Sequence, residues 1–287
     1  MNIIKGKLSI DGLPDEIAYL FSPRSPISED ESNYKISQHS DYYEQTENYR
    51  GCKGNCEELC VCWSSDYPEP KPELIDLAKD VLKKALKNNS TDVTKLLISE
   101  TSSECPYQYH FNFIIMNHFR NIKFLFLEFG SNISDELNTC FEQFHSLKTL
   151  IMRHSVVISS DKKDHDFYLL FPQSLINLKI TDCKLYKKPI TVEANARDRE
   201  AYLSRGTQLT IIPQKLPKLK NLVLDDIRNN KEVLQQFIQL NPKLEFVGSC
   251  NSNFTPRTFE IISNLPSLKY EFKTEFNRDE LKGVFSI

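Results

Sequence analysis

The stretches HSLKTLIMRHS (145–155) and LPKLKNLVLDD (216–226) lie far apart but share one outline. Each has an apolar residue, a second three positions on, and a third two positions after that. The outline fits Val93/Leu96/Ile98, Ile122/Leu125/Leu127, Leu147/Leu150/Met152, Leu175/Leu178/Ile180 and Leu219/Leu222/Leu224. Leu244/Val247 is a weaker copy, because Ser249 takes the third place. A last copy begins at Leu268 and slips in register, with Tyr270 and Phe272 alternating after it. Successive starts are 29, 25, 28, 44, 25 and 24 residues apart. A near-constant period of about 20–29 residues marks a chain built from one stacked supersecondary unit.

Elementary geometry says what the unit is. The last two apolar residues of each outline are two apart, so they share one side of a strand. Between the strands run patterns of 3.6-residue period. Leu137, Cys140, Phe141 and Phe144 form one such face. Val233, Leu234, Phe237, Ile238 and Leu240 form another, and Phe259, Ile261, Ile262 and Leu265 a third. Each ends near Asn or Pro, which stop helices. One helix and one strand cannot bury both apolar faces alone, whereas stacked copies can. A doubly wound sheet is disfavoured: Gly is only 8 of 287 residues, and no glycine-rich strand-to-helix turn is present.

The outline and its L-K-x-L wording resemble the leucine-rich repeat family over about residues 90–275. The order of helix, NPKL or LPSL, then strand resembles the variety found in F-box/LRR proteins. The resemblance implies an α/β leucine-rich-repeat solenoid, with parallel strands on the concave side and helices on the convex side. Strands are expected near 94–99, 123–128, 148–153, 176–181, 220–225 and 245–248. The array is expected over 73–287, after an irregular N-terminal region at 1–72. Residues 73–89 (ELIDLAKDVLKKALKNN) form an amphipathic pattern suited to covering the N-terminal end of the stack, and RDELKGVFSI (278–287) suits the other end. The 44-residue gap holds 186–214. Half of 44 is close to repeat length, so a degenerate repeat is one reading; we favour an insertion with a short helix in EANARDREAYLSRG, whose mixed charges suit a solvated face.

The N-terminal region carries two features. GLPDEIAYLFSP (12–23) is similar to the opening of an F-box, with Leu13, Pro14, Ile17 and Phe21 as its first helix. LCVCW, ending at the only tryptophan, Trp63, is similar to the closing segment of that motif. Leu13 and Trp63 are 50 positions apart, more than the family's compact module spans, so the polar, tyrosine-bearing stretch 22–50 reads as an insertion without a core pattern. The same region holds Cys52, Cys56, Cys60 and Cys62. Their C-x3-C, C-x3-C and C-x-C spacings depart from the paired C-x2-C knuckles of structural zinc, so no metal or other cofactor is expected.

The totals exclude several classes. A net charge of −3 argues against a general nucleic-acid binder. No apolar run reaches membrane-helix length, and MNIIKGKLSIDGLPDEI carries charge where a signal peptide has an apolar stretch. An intracellular protein, cytoplasmic or nuclear, is the expectation. Its eight cysteines are then thiols, and its N-x-[ST] triplets at Asn88, Asn89, Asn132 and Asn253 are unused. No GxSxG, HExxH, GxGxxG or GxxxxGK[ST] is present, and the six histidines are scattered. Cys183 and Cys250 end two repeat strands and read as packing residues.

The functional expectation is a non-enzymatic protein-binding module. Side chains at +2, +4 and +6 from each anchor face away from the core: Phe124, Phe126 and Glu128; Thr149, Ile151 and Arg153; Asn177, Lys179 and Thr181; Asn221, Val223 and Asp225. Phe124, Phe126 and Ile151 are expected as an apolar patch on a wet face, which marks an interaction surface, or as the site where the segment bearing Tyr42 and Tyr43 folds over. The family resemblance makes the partner a ubiquitylation substrate of a cullin-type ligase. It makes Leu13, Pro14, Ile17, Phe21 and Trp63 the contact for a Skp-type adaptor. The alternative is a metal-binding or enzymatic module centred on Cys52–Cys62.

Overall fold

The computed structural model describes residues 71–87, 93–99, 109–128, 131–159, 168–186, 207–265 and 267–272. The adaptor contact, the four-cysteine stretch, 22–50, Asn88, Asn89 and 278–287 lie outside the described residues, as do Tyr42 and Tyr43.

The protein is mixed α/β, with a parallel sheet as its spine. Helix α1 (Pro72–Lys87) precedes strand β1 (Lys95–Ser99), helix α2 (Tyr109–His118) and strands β2 (Phe124–Glu128) and β3 (Ser131–Ile133). Helix α3 (Ser134–Gln143) leads to β4 (Thr149–Arg153) and β5 (Val156–Ile158); then come β6 (Asn177–Thr181), β7 (Lys184–Tyr186) and β8 (Thr207–Gln208). The chain continues through β9 (Asn221–Asp225), α4 (Asn230–Leu240), β10 (Phe246–Ser249), a 3-10 turn at Asn251–Asn253, α5 (Pro256–Ser263) and β11 (Lys269–Phe272).

Seven strands form one sheet in chain order, β1-β2-β4-β6-β9-β10-β11, and every neighbouring pair is parallel. The registers place Lys95, Phe124, Thr149, Asn177, Asn221, Phe246 and Lys269 side by side, at separations of 29, 25, 28, 44, 25 and 23 residues. The final separation is one shorter than the spacing of the leucines, because Tyr270, not Glu271, sits beside Val247. The register slip read from the sequence is therefore real.

The anchors build the core. Leu125, Leu150, Leu178, Leu222 and Val247 form a row of 0% exposure, with Leu127, Met152, Ile180 and Leu224 two positions on. Against them pack Leu137, Cys140 and Phe141 of α3, Val233, Leu234, Phe237 and Ile238 of α4, and Ile261 and Ile262 of α5, so the helices share one face of the sheet. At one end α1 buries Ala78, Leu82 and Leu86 in the same core. Three residues read as apolar-face residues from helical period are exposed: Leu77 of α1, Leu240 and Phe259. Phe259 instead joins Phe254 and Tyr270 in an aromatic cluster with centroids 5.6–6.1 Å apart.

Sequence reading had one strand per unit; three of the units have two. After β2, β4 and β6 the chain turns a corner into the short strands β3, β5 and β7, which pair in parallel as a second sheet, with β8 antiparallel on β7. The corner is backbone chemistry. His154, Asp182 and Asp226, each the first residue after a five-residue strand, adopt left-handed φ of 48–52°. His and Asp tolerate that region better than other side chains with a Cβ. Just beyond, the buried Ser155 hydroxyl donates to the carbonyl of Leu127 in the preceding strand (3.0 Å). The buried Cys183 thiol, at the equivalent place, donates to the Thr181 carbonyl (3.4 Å). Asn132 and Asn253 are buried in hydrogen-bonded positions, so the fold leaves neither triplet open to a glycan.

Among the described residues between α3 and α4, 168–174 and 209–216 run without helix, and side-chain amides satisfy their backbone. Asn138 donates to the Tyr168 carbonyl (3.0 Å) and accepts from the Leu170 N–H (2.9 Å). Gln214 does the same for Leu169 and Phe171 (2.6 and 2.9 Å). Asn241 accepts from the Leu216 N–H and donates to the Gln214 carbonyl (2.7 and 2.8 Å). Within the 186–214 stretch, Tyr186 ends β7, while Leu209 and Ile211 belong to the core; residues 187–206 lie outside the described residues.

Candidate functional site

The face of the large sheet away from the helices carries the residues singled out from the sequence. Strand alternation sorts them into three rows, and the registers line the rows up across the sheet. The first runs Lys95, Phe124, Thr149, Asn177, Asn221 and Phe246; the second runs Leu97, Phe126, Ile151, Lys179, Val223 and Gly248. The third brings Glu128, Arg153, Thr181 and Asp225 together. All nine residues proposed for partner contact fall on this one face.

Their exposure differs from the expectation. Phe124, Ile151 and Val223 retain only 5%, 4% and 0% of their surface, in a second apolar cluster with the half-buried Leu97, Phe126 and Phe246. Within this cluster Phe126 sits beside both Leu97 and Ile151, so these apolar groups partly cover one another. Lys95 places its ammonium 5.6 Å from the centroid of the Phe124 ring, an electrostatically favourable position.

Polar chemistry is ordered by row. In the first, Asn221 donates to Asn177 (2.6 Å) and Asn177 to Thr149 (2.8 Å), a ladder across three strands. In the third, Arg153 lies 3.8 Å from the Glu128 carboxylate. Lys179, in the middle row, is buried; desolvation, with the Arg153 charge acting in the same direction, brings its ammonium down to about 8, while Asp182 and Glu128 oppose the shift. Burial raises Asp225, whose carboxylate is hydrogen-bonded by the Cys250 thiol.

Sequence reading missed the strip of groups at the corner. His154 Nδ1 is 3.5 Å from Asp182, Lys184 pairs with Asp226, and the Gln208 amide donates to Asp226 (2.6 Å). A signal for it was available: aligning TLIMRH, NLKITD and NLVLDD puts His, Asp and Asp in one column. Cys183 and Cys250 also turn out unalike. Cys183 is sealed in the corner, where burial pushes its thiol up to about 12. Cys250 is half-buried, held by Asp225 and by the Asn253 amide (2.7 Å). Buried Cys140 is likewise pushed up to about 12. These thiols stay protonated near neutral pH, which suits packing and not nucleophilic attack.

Among the described residues no cluster of His, Cys, Asp and Glu is placed to hold a metal ion, and no helix is long and apolar enough to cross a membrane. A shallow hollow of about 260 Å³ lies between α4 and α5, lined by residues including Ile238, Pro242, Arg257 and Ile261. It is on the helical side, away from the rows described above. The chain matches no protein-family model, no curated protein and no solved structure.

Proposed function

We propose that the described region is a leucine-rich-repeat solenoid that works by binding a protein, without catalysis, through the strand face away from the helices. One observation carries the reading. Seven strands pair in chain order with matched registers, so single side chains from successive units form continuous rows of mixed apolar, polar and charged groups. Stacked repeats use such a surface to recognise other proteins. The partly exposed Phe126 and Arg153 at its centre are of the types that dominate interface energetics. With the F-box resemblance at Leu13, Pro14, Ile17, Phe21 and Trp63, the reading extends to a substrate receptor of a cullin-type ubiquitin ligase, inside the cell, with a Skp-type adaptor at its N-terminal region.

Affinity capture of the full chain tests both halves. Phe126→Asp or Arg153→Glu is expected to abolish partner capture and leave adaptor co-purification intact. Pro14→Ala combined with Ile17→Asp is expected to do the reverse. If all variants capture the same proteins as the parent, the receptor reading fails. If only the strand-face variants matter, the protein is a repeat-based binder without a ligase role.

A further inference from the structure

The turns that enter the large sheet form a further surface, set by the fold and independent of the strand-face reading. Each of six units makes a tight turn just before its strand: the N–H of Ile122, Leu147, Leu175, Leu219, Leu244 and Leu268 donates to the carbonyl three residues back. These six anchors are buried, which holds the turns in line. The residue after each anchor then stands at the edge of the sheet. These residues are Lys123, Lys148, Ile176, Lys220, Glu245 and Lys269, and they lie side by side. From Lys148 onward, each N–H donates to the carbonyl of the one before it, at 2.7–2.9 Å. Side chains on adjacent units are within reach of one another there: the Lys220 ammonium is 2.6 Å from the Glu245 carboxylate.

This edge is basic far beyond the composition of the chain. Its turns and ladder comprise residues 120–123, 145–148, 173–176, 215–220, 243–245 and 267–269. To the four ladder lysines they add Arg120, Lys215, Lys218 and Lys243. All eight cations are exposed, and Glu245 is the single acid among them, in a chain with 36 Lys and Arg against 39 Asp and Glu. Among the described residues, Lys220 with Glu245 is the one ion pair on the edge. Lys123 and Lys148 are neighbours on adjacent units, as are Lys218 and Lys243. Like charges held about 4.8 Å apart by the strand spacing repel, and an anion laid across them removes that cost. Shape narrows the choice of anion. The strip is one turn wide and six units long, roughly 24 Å. The turns and ladder carry no Phe, Tyr or Trp on which a nucleic-acid base would stack. Seven of the eight cations are lysines, point charges without the planar fork that grips phosphate. A narrow chain bearing carboxylates fits: extended, about seven residues cover the strip.

We propose that this edge docks an extended segment of a partner protein rich in aspartate and glutamate, its carboxylates on Lys123 and Lys148 in the front units and on Lys218, Lys243 and Lys269 in the rear ones. The test uses the full chain and fluorescein-labelled peptides of about ten residues, long enough to span the strip. One peptide alternates glutamate with serine, and a second has glutamine for glutamate. In about 0.15 M NaCl, anisotropy is expected to show binding of the first and about tenfold or greater weakening for the second. Lys123→Glu with Lys148→Glu, and Lys218→Glu with Lys243→Glu, should each weaken the first peptide by about tenfold. Neither pair should lower the melting midpoint, because all four side chains are exposed. Lys84→Glu, exposed on α1, should leave binding within about twofold of the parent. Absence of peptide binding, or binding indifferent to both paired variants, overturns the proposal. So does tighter binding of an oligonucleotide of about ten nucleotides that the paired variants abolish, which makes the occupant a nucleic acid. Vesicle binding to phosphatidylcholine/phosphatidylserine that they abolish makes it a lipid surface. Self-association in sedimentation that they abolish makes it a second copy. Tighter peptide binding after Glu29→Gln, Asp30→Asn and Glu31→Gln together makes it the N-terminal region of this chain instead.

Discussion

Two ionisable groups at the α1-terminated end of the stack should pull stability in opposite directions with pH. His110 on α2 is brought from 6.5 down to about 4 by burial and by the charge of Lys79 on α1. Glu136 on α3 is raised from 4.5 to about 7 by burial, with Lys79 opposing and Asp135 adding to the rise. The folded state excludes a proton from His110, so that group costs stability as pH falls from 6.5 toward 4. It retains a proton on Glu136, so that group contributes fully below pH 4.5 and loses its contribution as pH rises through about 7. Between about pH 4.5 and 6.5 the two slopes cancel. Either displacement is worth at most about 3.4 kcal/mol, and solvent screening at these partly exposed positions brings each to about 1–2 kcal/mol. Urea denaturation across pH 4–8, taken as the difference from the parent, isolates each group. Glu136→Gln should gain about 1–2 kcal/mol at pH 7–8 and nothing near pH 4. His110→Gln should gain a similar amount near pH 4 and nothing above pH 7. Differences that are flat with pH, or that share one sign of slope, would refute the reasoning.

Three further outcomes test the packing. Leu178, fully buried between Leu150 and Leu222, should cost about 2–5 kcal/mol as Leu178→Ala; an unchanged urea midpoint would contradict its place in the core row. Thr255 caps α5, its hydroxyl accepting from the Thr258 N–H (3.2 Å) while Thr258 returns the bond, so Thr255→Ala should lower stability by about 1 kcal/mol, and no loss in the same measurement would remove the cap from the account. Asp225→Asn should speed alkylation of Cys250, because both the hydrogen bond and the charge of Asp225 hold that thiol up; peptide-level mass spectrometry reads the rate, and an unchanged or slower rate would mean that Asp225 does not hold the thiol.

The apolar outline predicted six of the seven long strands to within a residue at each end, because it records a constraint that recurs in every unit. What it omitted was either too short or too enclosed to have a period. Strands β3, β5 and β7 are three residues each, and three residues define no alternation. Helix α2 packs against α1, α3 and β3, so apolar residues surround it and its sequence, YHFNFIIMNH, has no polar stripe. The candidate face was legible in a similar, partial way. Parity alone sorted Phe124, Thr149, Lys179 and Asp225 onto one side of the sheet. Their depth was not readable, because the cover over a side chain comes from residues 25 or more positions away in sequence. Leu240 shows the converse error. It lies on the apolar arc of α4 yet keeps 41% of its surface exposed, because what packs beside a helix residue comes from other units, which no local pattern reports.

The strand separations also bear on how the molecule would come apart. Each bond in the large sheet closes a short circuit of chain, and none ties the first strand to the last. Loss of one rung therefore leaves two fragments that each keep their own internal bonding. The costliest circuit joins Asn177 to Asn221; its 44 residues add about 0.4–0.5 kcal/mol of closure entropy over the 28- and 25-residue circuits beside it. Its residues 209–216 are held by the Gln214 and Asn241 amides. Under force or partial denaturation the break is expected there, between β6 and β9. That divides the large sheet into a front part with four strands and a rear part with three.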